Sequence, residues 1–375
     1  MVGSADVLIV GGGVIGLTAA YYLALENVRV TLIDQGDFGR EASWAGAGIL
    51  PPAPSADSQD AFNQLHRQSI LEFPNLSSDL LRQTGLDNGY RVCGGLEFAA
   101  GTDSGHEGEW SGPGVEVEQL SELAACQREP GLGPDLGPAK FLPGLAQVRN
   151  PRHMRALTEA CRLLGVDLRP HCPLLNITHD SSRITGIQTN REELHCQRLL
   201  ITTGAWTAAV AQKLGCVIPV RPIRGQIALF RMAPPLLRHV LMWGARYIVP
   251  REDGRVLVGS TEEDVGFKKQ TTEEAIASLI ELATRLVPQL GQAPVEKTWA
   301  GLRPGSPDGK PFIGRIPNWK NGFVAAGHFR SGIQLSPGTG LLCRDLLLDC
   351  KPAISLESLR PDRFSQSNIS LPFPS

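Results

Sequence analysis

Apolar positions near the N-terminus come in short unbroken runs rather than in alternation with polar ones. Val7-Leu8-Ile9-Val10 is such a run, the pattern of a parallel strand covered on both faces. A glycine-rich turn follows. Leu17 to Leu25 then carries good helix formers, and Val28 to Ile33 is a second strand that closes on Asp34. Leu199-Leu200-Ile201-Thr202 reads as a further buried strand beside the first two. Asn150-Pro151 offers an N-cap and a proline at the first helical position, so a helix is expected from there to Leu164, before Gly165. Arg246 to Pro250 and Arg255 to Val258 flank Asp253-Gly254 and predict a hairpin. Thr271-x-x-Glu274 predicts a capping box that opens an apolar-periodic helix stopping near Val287-Pro288. The stretches 101–114 and 128–140 are rich in Gly and Pro and are expected to be loops. Strands exchanging with helices in this way place the chain in the α/β class.

Bulk composition narrows the function. The 375 residues, 42% hydrophobic, suffice for two domains or for one large domain with an interleaved second layer. The net charge of −2 is spread evenly, which excludes the footprint of a nucleic-acid or membrane-surface binder. The 8 cysteines form no CxxC and no metal-ligand spacing, so reduced thiols in a cytoplasmic protein without a metal are expected. Val7 to Leu25 is apolar enough on paper to span a bilayer, but residues 1–6 carry no Lys or Arg, and glycines break it in a patterned way. It is better explained as strand, tight turn and buried helix, and no membrane association is expected.

That turn is Gly11-Gly12-Gly13-Val14-Ile15-Gly16 and fits G-x-G-x-x-G. Gly11 permits the tight turn, Gly13 lets backbone amides approach a pyrophosphate, and Gly16 lets helix and strand pack closely. The helix N-terminus adds positive partial charge. Asp34 can accept from a ribose diol. The motif alone is weak, but its strand-turn-helix-strand setting with an acid at the end predicts a dinucleotide site. It does not separate NAD from FAD.

Gly39 to Leu50 follows directly and is rich in small residues. Such a run lets backbone lie flat on a large planar ligand, with Ser43 facing phosphate. Here a family resemblance emerges. The chain resembles the amino-acid oxidase family of flavoproteins, the group that holds D-amino-acid oxidase, sarcosine oxidase and glycine oxidase, the last tied to thiamine thiazole biosynthesis. Besides the N-terminus, the residues that carry it are Arg149 to His153, Ile201 to Trp206, Arg224-Gly225-Gln226, Arg246 to Pro250, Ala300 to Gly309 and Gly327 to Pro337.

The resemblance implies an α/β fold with a Rossmann-like FAD-binding domain and a second, substrate domain built on a mostly antiparallel sheet. The FAD-binding domain would be discontinuous, taking 1–90, 150–215 and 295–350. The substrate domain would take 91–149 and 216–294, leaving 351–375 as a tail. FAD contacts would fall at Val14, Ile15, Asp34, Gln35, Ala42, Ser43, Ala47, Gly48, Ile49, Leu174, His328, Phe329, Arg330, Ser331, Gly332, Ile333 and Gln334, beside Gly11, Gly13 and Gly16 of the motif. A helix expected from Gly338 to Leu348 would aim its N-terminal end at a flavin carbonyl that gains charge on reduction. Sarcosine oxidase attaches its flavin through a cysteine in the segment matching Gly301-Leu302-Arg303. With Gly301 at that position, noncovalent FAD is expected. The resemblance further implies a cytoplasmic homo-oligomer, with a tetramer as one arrangement.

An amino acid brings a carboxylate into a largely dry pocket, and a guanidinium pairs with it bidentately. Arg303 stands among Gly, Leu and Pro rather than among acids and is the leading candidate. Tyr247 can give its hydroxyl to the same carboxylate. Arg330 matches a second functional position, near the substrate amine. His328 is expected to pack near the flavin rather than serve as a base, and no general base is assigned, because positioning for hydride transfer dominates this chemistry. Small amino acid and O2 are the expected partners. Three rivals are a dehydrogenase of D-amino acids or sarcosine that uses another electron acceptor, a flavoprotein acting on tRNA bases, which lacks a basic stretch here, and a flavin-binding sensor protein with no activity.

Overall fold

The apolar runs form the centre of an open sheet. The computed structural model describes residues 5–99, 110–111, 114–232 and 237–364. Ala5–Val10 pairs in parallel with Val30–Ile33 on one side and with Glu193–Ile201 on the other. Asp167–Arg169 extends the sheet beyond the second strand, and Gly322–Ala326 extends it beyond Ile201, again in parallel. A hairpin, Leu174–Asp180 and Arg183–Thr189, and the strand Phe312–Arg315 complete 8 strands with antiparallel pairings at the margins. Strands covered on both faces need helices on them. Val14–Leu25 is buried nearly all round, and it packs against Gly332–Leu347.

The helices differ from expectation in ways that have physical causes. Asn150 is not the N-cap. The cap position is Arg149, and the Asn150 side chain instead donates to the Ser43 carbonyl at 2.8 Å. The capping residue of Glu273–Leu286 is Thr272 rather than Thr271, its hydroxyl accepting from the Ala275 amide. The last long helix starts at Gly332, not Gly338, and includes Pro337. Proline has no N–H for the carbonyl four residues back. Ser336 Oγ supplies the missing donor to Ile333 O at 2.8 Å, so the helix continues through. A 24-residue helix, Ala61–Thr84, follows the small-residue run although Pro74 interrupts its pattern. Its Ala61, Leu65, Phe73, Leu76 and Leu80 are buried on one stripe, and it lies against Gly332–Leu347.

The second sheet also has 8 strands. In order they are Val295–Gly305, Arg221–Arg231, Arg255–Gly259, Arg246–Pro250, Val240–Trp243, Gly95–Phe98, Ala139–Leu142 and Glu118–Leu120. All pairings are antiparallel except Val240–Trp243 with Gly95–Phe98. The alternation of a half-covered sheet sorts its side chains. Ala228, Phe230, Ile248 and Val258 pack under the helix Glu273–Leu286, whereas Ile227, Leu229, Tyr247 and Val249 cluster on the opposite face. Tyr247 thereby points to the side where the two sheets meet.

Two placements correct the expected division. Val295–Gly305, expected in the FAD layer, is a strand of the second sheet, because its register with Arg221–Arg231 runs the length of both. Arg91–Val92 and Ala146–Gln147, expected in the substrate layer's sheet, instead form a small separate sheet with Ile49–Leu50. We propose a cofactor layer on the first sheet and a substrate layer on the second, with the boundary moved past Gly305. Residues 128–140 run from a helix end through turns into the strand Ala139–Leu142. Most of the loop expected at 101–114, and the end of the tail, lie outside the described residues.

Candidate active site

A cavity of about 910 Å³ runs between the sheets, from the glycine turn to the second sheet's inner face. Its first end is set by the strand Ala5–Val10 and the helix that follows. Gly11 turns the chain at φ +109°, and a Cβ there would lie 2.4 Å from the Thr202 carbonyl. Thr202 Oγ in turn donates to Gly11 O at 2.7 Å. A Cβ on Gly16 would lie 2.0 Å from Gly11 O, so only glycine allows the helix to start this close. Gly16 itself does not reach the cavity wall, and its part is to seat the helix; Gly11, Gly13, Val14 and Ile15 do line it. The first turn leaves amide groups without intrahelical partners. Ser43 Oγ takes the Val14 amide at 2.9 Å.

Asp34 stands at the same end. Its two oxygens accept from Gly12 N at 2.7 Å and Gly36 N at 2.8 Å, which leaves lone pairs toward the cavity. Burial raises its pKa, with the Gly36 and Gly12 amides opposing. Hydroxyl donors of a ribose would favour the ionised form. Asp34→Asn is therefore expected to weaken FAD binding by roughly 10- to 100-fold, the worth of a charge-assisted hydrogen bond. In the unaltered protein FAD affinity should decline on acidification, from a pH above the ordinary aspartate range, because protonation removes the acceptor. Titration of apoprotein with FAD across pH checks both; equal affinities for the two proteins at neutral pH would exclude Asp34 as a ligand.

In the middle of the cavity the walls are Ala42, Ser43, Ala47, Gly48 and Ile49 on one side and His328 to Gln334 on another. Gln35 and Leu174 line it toward the Asp34 end. Arg251, from the end of the hairpin strand, is buried behind this middle section. Its guanidinium donates to Ala47 O and Gln147 Oε1, each at 2.6 Å, and to Val148 O at 3.2 Å. Burial, with Arg149 and Arg91 nearby, lowers its pKa to about 10, so it remains a cation at neutral pH and fixes the Ala47–Ile49 backbone. His328 is fully buried, with Nε2 at 3.1 Å from Thr339 Oγ. Burial drives its pKa down to about 3, so it is a neutral imidazole. A Cβ on Gly301 would lie 2.5 Å from that of Ala45, so this strand sits flush on the small-residue run. Among the described residues the one cysteine on the cavity wall is Cys172, beside Asp34. This cradle of turn amides, carboxylate and flat backbone fits a dinucleotide with a planar head.

The far end carries Arg303, Tyr247 and Arg330. Arg303 stands on the strand Val295–Gly305 opposite Ile223, with Gly225 opposite Gly301 on the same face. A Cβ on Gly225 would lie 2.2 Å from Arg303 Nη1, so the guanidinium lies directly over that glycine. It donates to the Thr261 carbonyl at 3.1 Å and to Ser260 Oγ. Both acceptors are neutral oxygens, and no carboxylate pairs with Arg303 among the described residues. Tyr247 is 8% exposed, and its hydroxyl lies 3.1 Å from where a Gly259 Cβ would be. Arg330 pairs with Glu262, through Nε at 2.7 Å and through Nη2. All three predicted side chains line this one cavity. Sequence reasoning missed Gly225, Ser260, Glu262 and Arg251. The Arg224-Gly225-Gln226 run and the acids after the second hairpin strand were the available signals, but nothing in one dimension joins them to Arg303.

Comparison with known proteins agrees with this geometry. A family model described as FAD dependent oxidoreductase matches residues 6–346. The chain is 38% identical to a glycine oxidase of Pseudomonas putida over 96% of its own length and 99% of that protein. It is 33% identical to a bifunctional protein ThiO/ThiG of Trichormus variabilis over 98% of its length, covering 56% of that longer protein. The crystal structure of a glycine oxidase from Geobacillus kaustophilus superposes with a TM-score of 0.90 at 33% identity, covering 96% of this chain and 99% of that one.

Proposed function

The chain belongs to the FAD dependent oxidoreductase family, and from that premise we infer that it is an FAD-dependent amino-acid oxidase of the glycine oxidase type. It oxidises glycine, or a similarly small amine or D-amino acid, to the imine, which water converts to the oxo acid and ammonia. O2 accepts the electrons and leaves as hydrogen peroxide. Bound FAD supplies the hydride acceptor, and the chain supplies position. The observation that carries this reading is the guanidinium of Arg303. It is held by neutral oxygens and opens on the same cavity as the dinucleotide turn, so it has charge to spare for a substrate carboxylate. Tyr247, on the same wall, can donate to the second carboxylate oxygen. The neutral, hydrogen-bonded His328 supports a packing role beside the flavin and not that of a base.

The test is anaerobic bleaching of the flavin by glycine, sarcosine and small D-amino acids, followed by peroxide measurement in air. Bleaching by none of them would leave a binding protein; bleaching without peroxide would favour another electron acceptor. The flavin should be held without a covalent bond, since Gly301 has no thiol and the cysteine on the cavity wall among the described residues, Cys172, lies beside Asp34. Acid precipitation is expected to release all of it into the supernatant. Yellow colour retained in the pellet would contradict this.

For the setting, we propose a cytoplasmic homo-oligomer, a tetramer being one arrangement, with a role in thiamine thiazole biosynthesis. The eight thiols, none paired, support a reducing compartment. Among the described residues no helix is long and apolar enough to cross a membrane.

A further inference from the structure

The segment Ser260–Glu263 runs along the cavity between two arginines. Ser260 Oγ and the Thr261 carbonyl hold Arg303. The two glutamates that follow have opposite surroundings. Glu263 turns outward into a packed network, where Arg224, Gln226 Nε2 at 2.8 Å and Thr261 Oγ donate to it. These donors outweigh burial and keep its pKa low. Glu262 turns inward, lines the cavity and accepts from Arg330. Dinucleotide binding has no use for Glu262, and neither has recognition of a carboxylate, since an anion there repels one.

We propose that Glu262 is a specificity residue for the nitrogen end of the substrate. Its carboxylate accepts hydrogen bonds from the substrate amine while Arg303 holds the substrate carboxylate, and it turns away ligands with a second anion. This rests on the amino-acid oxidase reading above. Ser260, whose hydroxyl holds Arg303, and Glu262, which holds Arg330, stand two residues apart on one segment of the cavity wall, so a cation and an anion are presented to the same space. Arg330 alone beside an ammonium would be repulsive. Paired with Glu262 it becomes a clamp that fixes the carboxylate rotamer, and the pair is neutral overall.

The experiment uses the flavin-loaded protein and three ligands. These are glycine, glycolate with a hydroxyl in place of the amine, and malonate with a second carboxylate there. Dissociation constants come from anaerobic rapid reduction for glycine, and from perturbation of the flavin absorbance for the other two. Glu262→Gln is expected to weaken glycine at least about tenfold, to leave glycolate unchanged or tighter, and to tighten malonate at least about tenfold. Equal losses for glycine and glycolate would mean a merely structural residue and overturn the proposal, as would no change in any ligand. The unaltered protein gives an independent arm. It should bind malonate at least about tenfold more weakly than glycolate, and equal binding overturns the proposal even if Glu262→Gln retains no flavin. Failure of the underlying reading looks different, as unaltered protein whose flavin no amino acid reduces, and it removes this inference too.

Discussion

Arg303→Ala is expected to lose at least about 30-fold in kcat/KM for glycine while keeping its FAD. Glycine has almost no side chain to hold, so its carboxylate and amine supply most of its binding. Truncating one partner of a buried, hydrogen-bonded charge pair costs roughly 2–5 kcal/mol, and each 1.36 kcal/mol is about tenfold. The structure adds the reason why nothing else can substitute. Arg303 is held over Gly225 by Ser260 and the Thr261 carbonyl, whereas the neighbouring Arg330 is paired to Glu262. FAD content should stay near normal, because the phosphates are expected at the glycine turn, where Gly11, Gly13, Val14 and Ile15 line the cavity. Arg303→Lys should recover only part of the loss, since a point charge lacks the planar fork. The deciding comparison is methylamine, which has no carboxylate. If Arg303→Ala loses the same factor for glycine and for methylamine, the guanidinium does not read the carboxylate and the site assignment fails.

Gly16→Ala is expected to be as damaging by a different route. The added Cβ would sit 2.0 Å from the Gly11 carbonyl and 2.7 Å from Thr202 Oγ. Neither can swing aside, because Gly11 O is backbone and Thr202 Oγ is tied to it. The helix must lift off the strand, and its first-turn amides move away from the place a diphosphate would occupy. Overpacking of this kind costs typically about 1–3 kcal/mol and occasionally more. A drop in Tm of several degrees and a loss of FAD affinity of at least about tenfold are expected, read by thermal unfolding and by titration of apoprotein. Excess FAD should raise the Tm of the variant part of the way back, since ligand binding to the native state stabilises it by mass action. A variant with unchanged Tm and FAD affinity would show that the close approach at Gly16 is not needed.

How much of this was legible in the sequence depends on how local each feature is. The turn at Gly11–Gly16 and its acid at Asp34 lie within one strand-turn-helix-strand unit, and each residue type answers a demand made by its neighbours. The hairpin around Asp253-Gly254 was legible for the same reason. Helix starts were less so. Asn150 looks like a cap, yet its amide is drawn away to Ser43, and the last helix, expected from Gly338, already starts at Gly332, with Ser336 making the bond that Pro337 cannot. The strand Val295–Gly305 belongs to the other layer than expected, because its place is set by pairing with Arg221–Arg231, a partner far away in the chain that no local pattern names.

The sequence by itself determined a dinucleotide site and a set of arginines that could meet an anion. It did not determine which arginine is free to do so. Arg224, Arg303 and Arg330 sit in apolar or glycine-rich stretches and Arg251 precedes Glu252-Asp253, and the preference for Arg303 came from its neighbours and the family resemblance, not from any sign of which guanidinium is free. Tertiary structure distinguishes them. Arg224 is given to Glu263 and Arg330 to Glu262, Arg251 is sealed among carbonyls, and Arg303 alone of the four faces the cavity on neutral oxygens. The register that sets Gly225 opposite Gly301 makes the space in which it does so. The physical reason is that a charge's role is fixed by what lies within a few ångströms of it, and those neighbours come from strands and turns distant along the chain, which only the packing of two sheets against each other brings together.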